Sequence, residues 1–584
     1  MATDTDTAPE SGLESGGNAG AADKPWLKTY PEGIDWRAQL EVTPLWENLD
    51  GAVARYPNHN LLDFLDRKFT YSQIGDLANR AAKGFQDLGV GKGVNVGLFL
   101  PNCPQFVICY YGILKAGGTV VNYSPLYSEP ELEYQIEDSH TDIMVTLNVE
   151  ALYPKMASLL PKTRLKKLVI GKIAEVLPFP KSLLYPLVKR KEISKVPNDE
   201  RHVRFADLTA NGGDYAPAEI DPQEDVAVLQ YTGGTTGVSK GAMLTHANLM
   251  ANVQQAYLWN TAMEEGSDVF MAVLPFFHVF AMTSVMNLSI RSGAEMIVHP
   301  RFVLDDVMRD IDKKKPTGFQ GVPTMYNAMS NHPKIADFDL RSIKACISGG
   351  APLPVEVKAQ FEELAGCTVM EGYGLTESSP SAACNPLQGI NKAGSIGMPL
   401  PNTELVITDR EDPHKILGIG EDGEICIVGP QVMKGYWNRP EATADTIVEG
   451  RLRTGDVGYM DEDGYTFIID RMKDLILCGG FNVYPRHVEE AVYQHPSVEE
   501  VTVIGIPDDY RGESPKAFVK LKEGAEPVDE AGMIEFLRER LGKHEIPAAV
   551  EFRTELPKTL IGKLSKKELV QEEREKYEAR KKAG

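Results

Sequence analysis

The seven cysteines of this 584-residue chain, at 103, 109, 346, 367, 384, 426 and 478, include no CxxC pair, are odd in number and lie far apart. That pattern argues against a disulfide framework and a cysteine zinc site, and it points to a reducing compartment, the cytosol. Basic charge is also short: 61 Lys plus Arg stand against 83 Asp plus Glu, a net charge of −22. A sequence-independent nucleic-acid binder needs a basic surface, which counts against that class. Any anionic substrate must instead be held by a local site working against the overall field. An apolar leader is missing as well. Residues 1–24 are rich in Ser, Gly, Ala, Thr and Asp and read as a disordered tail, not a signal peptide. One stretch, between Asp268 and Arg291, lacks charge for long enough to cross a bilayer. Pro275, His278, Thr283, Ser284, Asn287 and Ser289 interrupt it, and it reads as a buried strand, a proline turn and a helix.

What is present is ordinary globular composition, 42% hydrophobic and 25% charged, with length for about four domains or subdomains. Helical spacing over Tyr71–Leu88 and Cys103–Ala116 alternates with a short apolar strand at Asn95–Leu100. Similar alternation runs from Val226 to Pro333 and from Ile343 to Val369. This pattern predicts α/β sheets with helices on their faces. From Thr403 the texture changes to short strands, TELVITD, GEICIVG and YTFIIDR, predicting a small antiparallel sheet or barrel. Beyond Arg471 a compact α+β pattern follows. The main boundary is expected near Asp470, giving a large N-terminal domain (25–470) and a small C-terminal one (471–584). Segment 172–195 stands apart, with prolines, aliphatics and a Lys/Arg cluster. It fits either an amphipathic insertion packed on the protein surface or peripheral contact with an anionic membrane.

The strongest chemical signal is YTGGTTGVSKG, Tyr231 to Gly241, after the apolar strand Val226–Gln230. Gly233, Gly234 and Gly237 allow close backbone approach, so that amides can point at anionic oxygens. Thr232, Thr235, Thr236 and Ser239 add hydroxyls and Lys240 adds charge, a combination suited to a polyphosphate. It is not a Walker loop, which needs GxxxxGK[ST] opening into a helix. Here GAMLTH reads as a strand before a helix at Ala247. Gly418, Gly420 and Gly423 match GxGxxG by spacing, but a strand follows, so no dinucleotide fingerprint is assigned.

YTGGTTGVSKG resembles the phosphate loop of the adenylate-forming enzymes: acyl-CoA synthetases, luciferases and peptide-synthetase adenylation domains. EGYGLTE (Glu371 to Glu377), GYWNRPEAT, RTGD, DRMKDLI and PKTLIGKLSKKEL follow in the family's order. VNYSPLYSEPELEYQIEDS and LCGGFNVYPRHVEE look most like bacterial long-chain fatty-acid–CoA ligases. The resemblance implies a large domain of two α/β subdomains and a small barrel-like one, then a mobile C-terminal domain. It further implies that Tyr231 to Thr236, Gly237, Lys240, Gly349, Gly350, Ala351, Pro352, Glu371, Gly372, Tyr373, Gly374 and Thr376 bind ATP. Tyr373 would face adenine, Asp456 and Arg471 the ribose, and Thr232 and Glu377 would hold Mg²⁺. Lys563 would be the mobile catalytic lysine, acting with Glu377, Lys240 and His278. His278 would face the acyl carboxylate, and Met282 would stand in the acyl pocket where some relatives carry an aromatic gate. Gly479, Gly480 and Phe481 would line the CoA path after rotation about Asp470. Cys478 would lie near that path and is assigned no chemistry. Lys566 and Lys567 read as surface charges.

The implied activity is a ligation: fatty acid, ATP and coenzyme A give acyl-CoA, AMP and diphosphate. A medium-chain or aryl-acid CoA ligase would carry the same motifs, and a non-catalytic acyl- or nucleotide-binding protein could share the fold. The expected partners are these small molecules and no nucleic acid. The expected location is cytoplasmic, with peripheral contact at the inner face of the membrane through 172–195 as one option. Sequence leaves the choice between monomer and homodimer open.

Overall fold

The computed structural model describes residues 24–232, 239–559 and 562–583. The predicted tail, apart from Lys24, lies outside them. The alternating periods become two large sheets. In the first, Val226–Thr232, Thr119–Asn122, Asn95–Leu98, Thr141–Leu147, Lys167–Gly171 and His202–Arg204 run parallel. Lys240–Thr245 and then Gly435–Tyr436 extend this sheet antiparallel beside Val226–Thr232. The second sheet has a parallel series of Asn60–Phe64, Glu295–Val298, Val269–Ala272, Gly318–Gly321, Ala345–Gly349 and Thr368–Gly374, with Ser381–Cys384 antiparallel at one side. Parallel strands covered on both faces have no polar side to show; Asn95–Leu98 and Gly318–Gly321 are buried at every position.

Local sequence explains the helix starts. Helix Tyr71–Asp87 opens on a capping box, in which the Gln73 N–H donates to Thr70 Oγ1 (3.2 Å) and the Thr70 N–H donates to Gln73 Oε1 (3.0 Å). Thr245 and Asn248 repeat the device at helix His246–Trp259. The uncharged stretch is folded inside the protein. Strand Val269–Ala272 leads to a short helix Val279–Ala281, a π-helical turn Met282–Asn287 and helix Leu288–Ser292. No helix among the described residues is long and apolar enough to cross a membrane.

From Thr403 the expected small antiparallel sheet is present: Glu404–Thr408, Gly423–Val428 and Arg451–Met460, with Ile447–Val448 and Thr466–Arg471 also paired to Arg451–Met460. The main core draws its buried residues from Trp26 to Tyr465. A separate core, from Ile476 to Val550, lies with helices Pro485–Tyr493 and Glu530–Arg538 against strands Val498–Asp508, Gly512–Leu521 and Ala549–Phe552.

Two sequence readings need correction. Surface packing of 172–195 holds for its two ends and not for the helix between them: at the far end Ser194 is buried and Ile193 bridges to Val149. Val176 and Leu177 are buried, but helix Lys181–Val188 has no buried residue, and Phe179 and Leu187 are 80% and 75% exposed. Lys566 is not a solvated surface charge: it is half-buried and pairs with Glu489 at 3.1 Å. Burial works against its charge, yet Glu489, Asp470 and Asp474 together hold its pKa above the ordinary lysine value.

Candidate active site

Strand ends at Asn122, Thr232, Gly349 and Gly374 open onto one cavity of about 1180 Å³. Ligands of open α/β sheets gather at such carboxyl ends. The cavity wall includes Tyr231, Thr232, Lys240, His278, Gly350, Gly372, Tyr373, Gly374, Thr376, Glu377, Arg471 and Lys563. It also includes apolar side chains, among them Trp259, Val279, Leu288, Ile347 and Met370. Of the predicted phosphate loop, Gly233, Gly234, Thr235, Thr236 and Gly237 lie outside the described residues. Their flanks are registered: Thr232 pairs with Lys240 across the antiparallel strands, and Ser239 Oγ donates to the Thr232 carbonyl (2.6 Å).

Tyr373, Asp456 and Arg471 form a hydrogen-bonded row. Tyr373 Oη donates to Asp456 Oδ2 (2.6 Å), and Arg471 Nε donates to Asp456 Oδ1 (2.9 Å). Asp456 is buried and Arg471 pairs with it in register between strands Arg451–Met460 and Thr466–Arg471. The carboxylate raises the guanidinium pKa further, while burial and then Asp456 push the Tyr373 phenol well up. The row thus sets a neutral Tyr373 and a charged Arg471 on the two oxygens of Asp456, with donors and acceptors fixed in place.

Lys563 comes from the C-terminal part of the chain, and Gly350 makes room for it. A Cβ on Gly350 would lie 2.5 Å from Lys563 Cε, at a backbone φ of +83°. Burial, and then the nearby Arg471, lower the Lys563 pKa to about 8, with Asp456 opposing them. His278 is lowered to about 3 by burial and then by Lys563, so its ring is neutral at physiological pH. Its Nδ1 accepts the Phe280 N–H (3.2 Å), which leaves the ring proton on Nε2, available to donate to a carboxylate.

Several predicted residues are not on this wall. Met282 is fully buried in the π-helical turn, its sulfur 3.3 Å from Asn122 Nδ2, so it does not gate the cavity. The Glu371 carboxylate is turned under the neighbouring loop, where Oε1 accepts the Leu353 N–H (3.2 Å); burial pushes its pKa up to about 7. Ala351 and Pro352 do not line the cavity, and neither do Gly479, Gly480 and Phe481. Phe481 is exposed and rests near His544, 4.9 Å between ring centroids. Cys478 is buried in the second core. Asp470 is buried, with Oδ2 accepting the Arg486 N–H at 3.0 Å, and burial raises its pKa.

A family profile described as AMP-binding enzyme matches residues 49–437, and one described as AMP-binding enzyme C-terminal domain matches 487–563. The chain belongs to the AMP-binding enzymes. A long-chain-fatty-acid–CoA ligase of Bacillus subtilis (strain 168) is 45% identical over 95% of this chain and 99% of its own. The anthranilate CoA ligase AuaEII, solved with anthranoyl-AMP, superposes with a TM-score of 0.81 at 26% identity, over 93% of this chain and 99% of that one. ATP-bound MatB from Rhodopseudomonas palustris gives 0.78 at 28% identity, over 91% and 99%.

In this AMP-binding enzyme the two metal donors expected from the sequence, the Glu377 carboxylate and the Thr232 hydroxyl, are both on the cavity wall. No group of three or more His, Cys, Asp or Glu suited to a metal occurs among the described residues. That set fits Mg²⁺, which keeps waters and phosphate oxygens and needs only one or two carboxylates. Sequence reasoning missed the side chains that hold this machinery. Tyr436 Oη donates to Glu377 Oε1 (2.6 Å), and Lys240 Nζ lies 4.5 Å from the Tyr436 ring centroid. Asp138 receives Tyr231 Oη and Arg439 Nη2, both at 2.6 Å. Tyr436 stood within the quoted GYWNRPEAT motif and could have been singled out. Asp138 is 93 residues from Tyr231, and no local pattern marks it.

Proposed function

We propose that this AMP-binding enzyme is an ATP-dependent long-chain fatty-acid–CoA ligase. The observation that carries the reading is one cavity in which Lys563, Lys240, Glu377, Tyr373 and Arg471, the last two joined behind the wall by Asp456, share a wall with apolar side chains. In the first half-reaction the fatty carboxylate attacks the α-phosphorus of ATP, the bond to the bridging oxygen breaks, and diphosphate leaves. Lys563 stabilises the charge on the pentavalent phosphorus, Lys240 and the loop hydroxyls hold the triphosphate, and His278 Nε2–H orients the carboxylate. Thr232 and Glu377 would hold Mg²⁺, which when bound would offset the charge of the phosphates. In the second, the CoA sulfur attacks the acyl carbon, the C–O bond to AMP breaks, and the thiol proton is released.

The division into domains 25–470 and 471–584 belongs to this reading. Rotation about Asp470 withdraws Lys563 after adenylation and brings Gly479–Gly480–Phe481 to the CoA path. The test is kcat/KM across C6 to C18 acids below their micelle concentrations. Each buried methylene contributes ~0.8 kcal/mol, so the long-chain reading expects a maximum at C14–C18. A maximum at C8 or below, or with aryl acids, assigns the medium-chain or aryl alternative. Failure to release AMP with any acid assigns a non-catalytic binder.

The same reading makes the protein a cytoplasmic enzyme that touches an anionic membrane face through 172–195. Phe179, Leu183, Leu187 and Val188 are all more than 60% exposed, and Lys189, Arg190 and Lys191 follow them directly. Apolar side chains beside basic ones suit an anionic lipid surface. Leu183→Asp with Leu187→Asp should abolish sedimentation with vesicles containing anionic lipid; unchanged sedimentation would remove the assignment.

A further inference from the structure

Helix Pro323–Ser330 of the large N-terminal part makes two hydrogen bonds to segments beyond Arg471. Thr324 Oγ1 donates to the Gly562 carbonyl at 2.7 Å, one residue before Lys563. Three residues on, Asn327 Nδ2 donates to the Glu499 carbonyl at 3.0 Å. Positions i and i+3 share a helix face, so one face makes both contacts. Asn327 is buried, and Asn331 Nδ2 donates to its Oδ1 at 2.7 Å. With the amide oxygen occupied, the NH₂ group is aimed at Glu499. Both acceptors are backbone carbonyls, so the contact reads the position of the C-terminal part and not its side chains. Gly562 sits at φ +83°, and a Cβ there would come 3.4 Å from Thr324 Oγ1. On the Lys563 side the turn is braced locally: the Lys563 N–H donates to Thr559 Oγ1 (3.1 Å) and the Thr559 N–H donates to the Lys563 carbonyl (2.6 Å).

We propose that this helix face is a latch selecting the arrangement in which Lys563 enters the cavity, with Thr324 and Asn327 as positioning residues for Lys563. The proposal rests on the two half-reactions given under the proposed function. Neither residue lines the cavity, so each acts through Lys563 and not on substrate. Rotation of the C-terminal part would break both hydrogen bonds together, leaving the latch without effect on the second half-reaction.

The experiment measures single-turnover formation of acyl-adenylate from ATP and palmitate, and separately the conversion of supplied palmitoyl-adenylate plus CoA. Thr324→Val should slow the first about fivefold, the size expected for one hydrogen bond, and leave the second unchanged. Asn327→Leu should act in the same direction, and Thr324→Ser should restore the wild-type rate. In a Lys563→Ala background Thr324→Val should cause no further loss, because the lysine it positions is gone. Equal slowing of both half-reactions, or an undiminished loss in the Lys563→Ala background, would overturn the latch. So would a wild-type adenylation rate in both variants. Absence of any acyl-adenylate with the wild-type protein would instead overturn the ligase reading, which keeps the two failures distinct.

Discussion

Lys563 offers the sharpest test of how the cavity works. Its pKa is lowered from 10.5 to about 8, first by burial and then by Arg471. At 1.36 kcal/mol for each tenfold change, the charged lysine is disfavoured in this position by roughly 3 kcal/mol before an anion arrives. The sign is that of a buried cation: protonated below about pH 8, it loses its charge as pH rises through that value. In the free enzyme it is therefore about nine-tenths charged at pH 7 and about one-tenth charged at pH 9. Because kcat/KM reports the ionisation of free enzyme, adenylate formation at low ATP should fall about tenfold between those pH values. Bound triphosphate stabilises the ammonium, so the inflection should move upward at saturating ATP. Lys563→Ala should lower adenylation by ~10²–10³ and flatten the profile between pH 7 and 9. Conversion of supplied acyl-adenylate should be much less affected. The assay is single-turnover adenylate formation at low and saturating ATP, for both proteins, from pH 6.5 to 9.5. An inflection near 8 that survives in Lys563→Ala would refute the assignment of that titration, and equal losses in both half-reactions would refute the withdrawal of Lys563 between them.

Gly350→Ala places a methyl 2.5 Å from Lys563 Cε at a φ of +83°. It should cost ~1–2 kcal/mol in backbone strain and slow adenylation at least tenfold while sparing the second half-reaction, as read in the same paired assay. Asp470→Pro locks φ and removes the N–H, so adenylation should survive better than thioester formation; full activity in both would remove the hinge from Asp470. Tyr436→Phe deletes the hydroxyl held 2.6 Å from Glu377, and should raise the Mg²⁺ concentration needed for half-maximal adenylation by 10–100-fold; an unchanged Mg²⁺ titration would show that Tyr436 does not orient that carboxylate.

The parts of this protein legible in its sequence are those specified locally. Alternating apolar periods gave the sheets, and helical spacing over Tyr71–Leu88 gave helix Tyr71–Asp87. Motif spacing brought Thr232, Lys240, Tyr373, Glu377, Arg471 and Lys563 to one cavity. Met282 shows where local reading stops. His278 is the extended N-cap of the short helix Val279–Ala281, so counting four residues on does not carry Met282 to the side its ring faces. Met282 instead packs inward beside Asn122, a residue 160 positions away that no local pattern marks. Glu371 fails for another reason: a carboxylate inside a glycine-rich motif looks like a ligand contact, yet a backbone amide of the 350–353 turn already occupies it. Lys566 was misread because its partner Glu489 is remote in sequence. Thr324 and Asn327 were silent because backbone carbonyls receive their hydrogen bonds, and a carbonyl has no sequence identity.

A chain of net charge −22 that binds anionic substrates has to make its own local field, and it does so with two kinds of cation. Arg471 and Arg453 are paired to carboxylates, Asp456 at 2.9 Å and Glu424 at 2.7 Å. Those pairs hold the guanidinium groups in place whether or not a nucleotide is bound, so they can bind without reorganising. Lys563 differs, since no carboxylate lies within ion-pair distance of it among the described residues. A salt bridge there would have to break every time the lysine withdrew, and a buried pair is expensive to break. Without one, the counter-charge comes from the substrate. The triphosphate draws the ammonium in against its burial cost, and departure of diphosphate removes most of that attraction. The depressed pKa of Lys563 and the withdrawal proposed for it then follow from one arrangement: a buried cation with no ion-pair partner among the described residues, held more firmly while the substrate's charge is there.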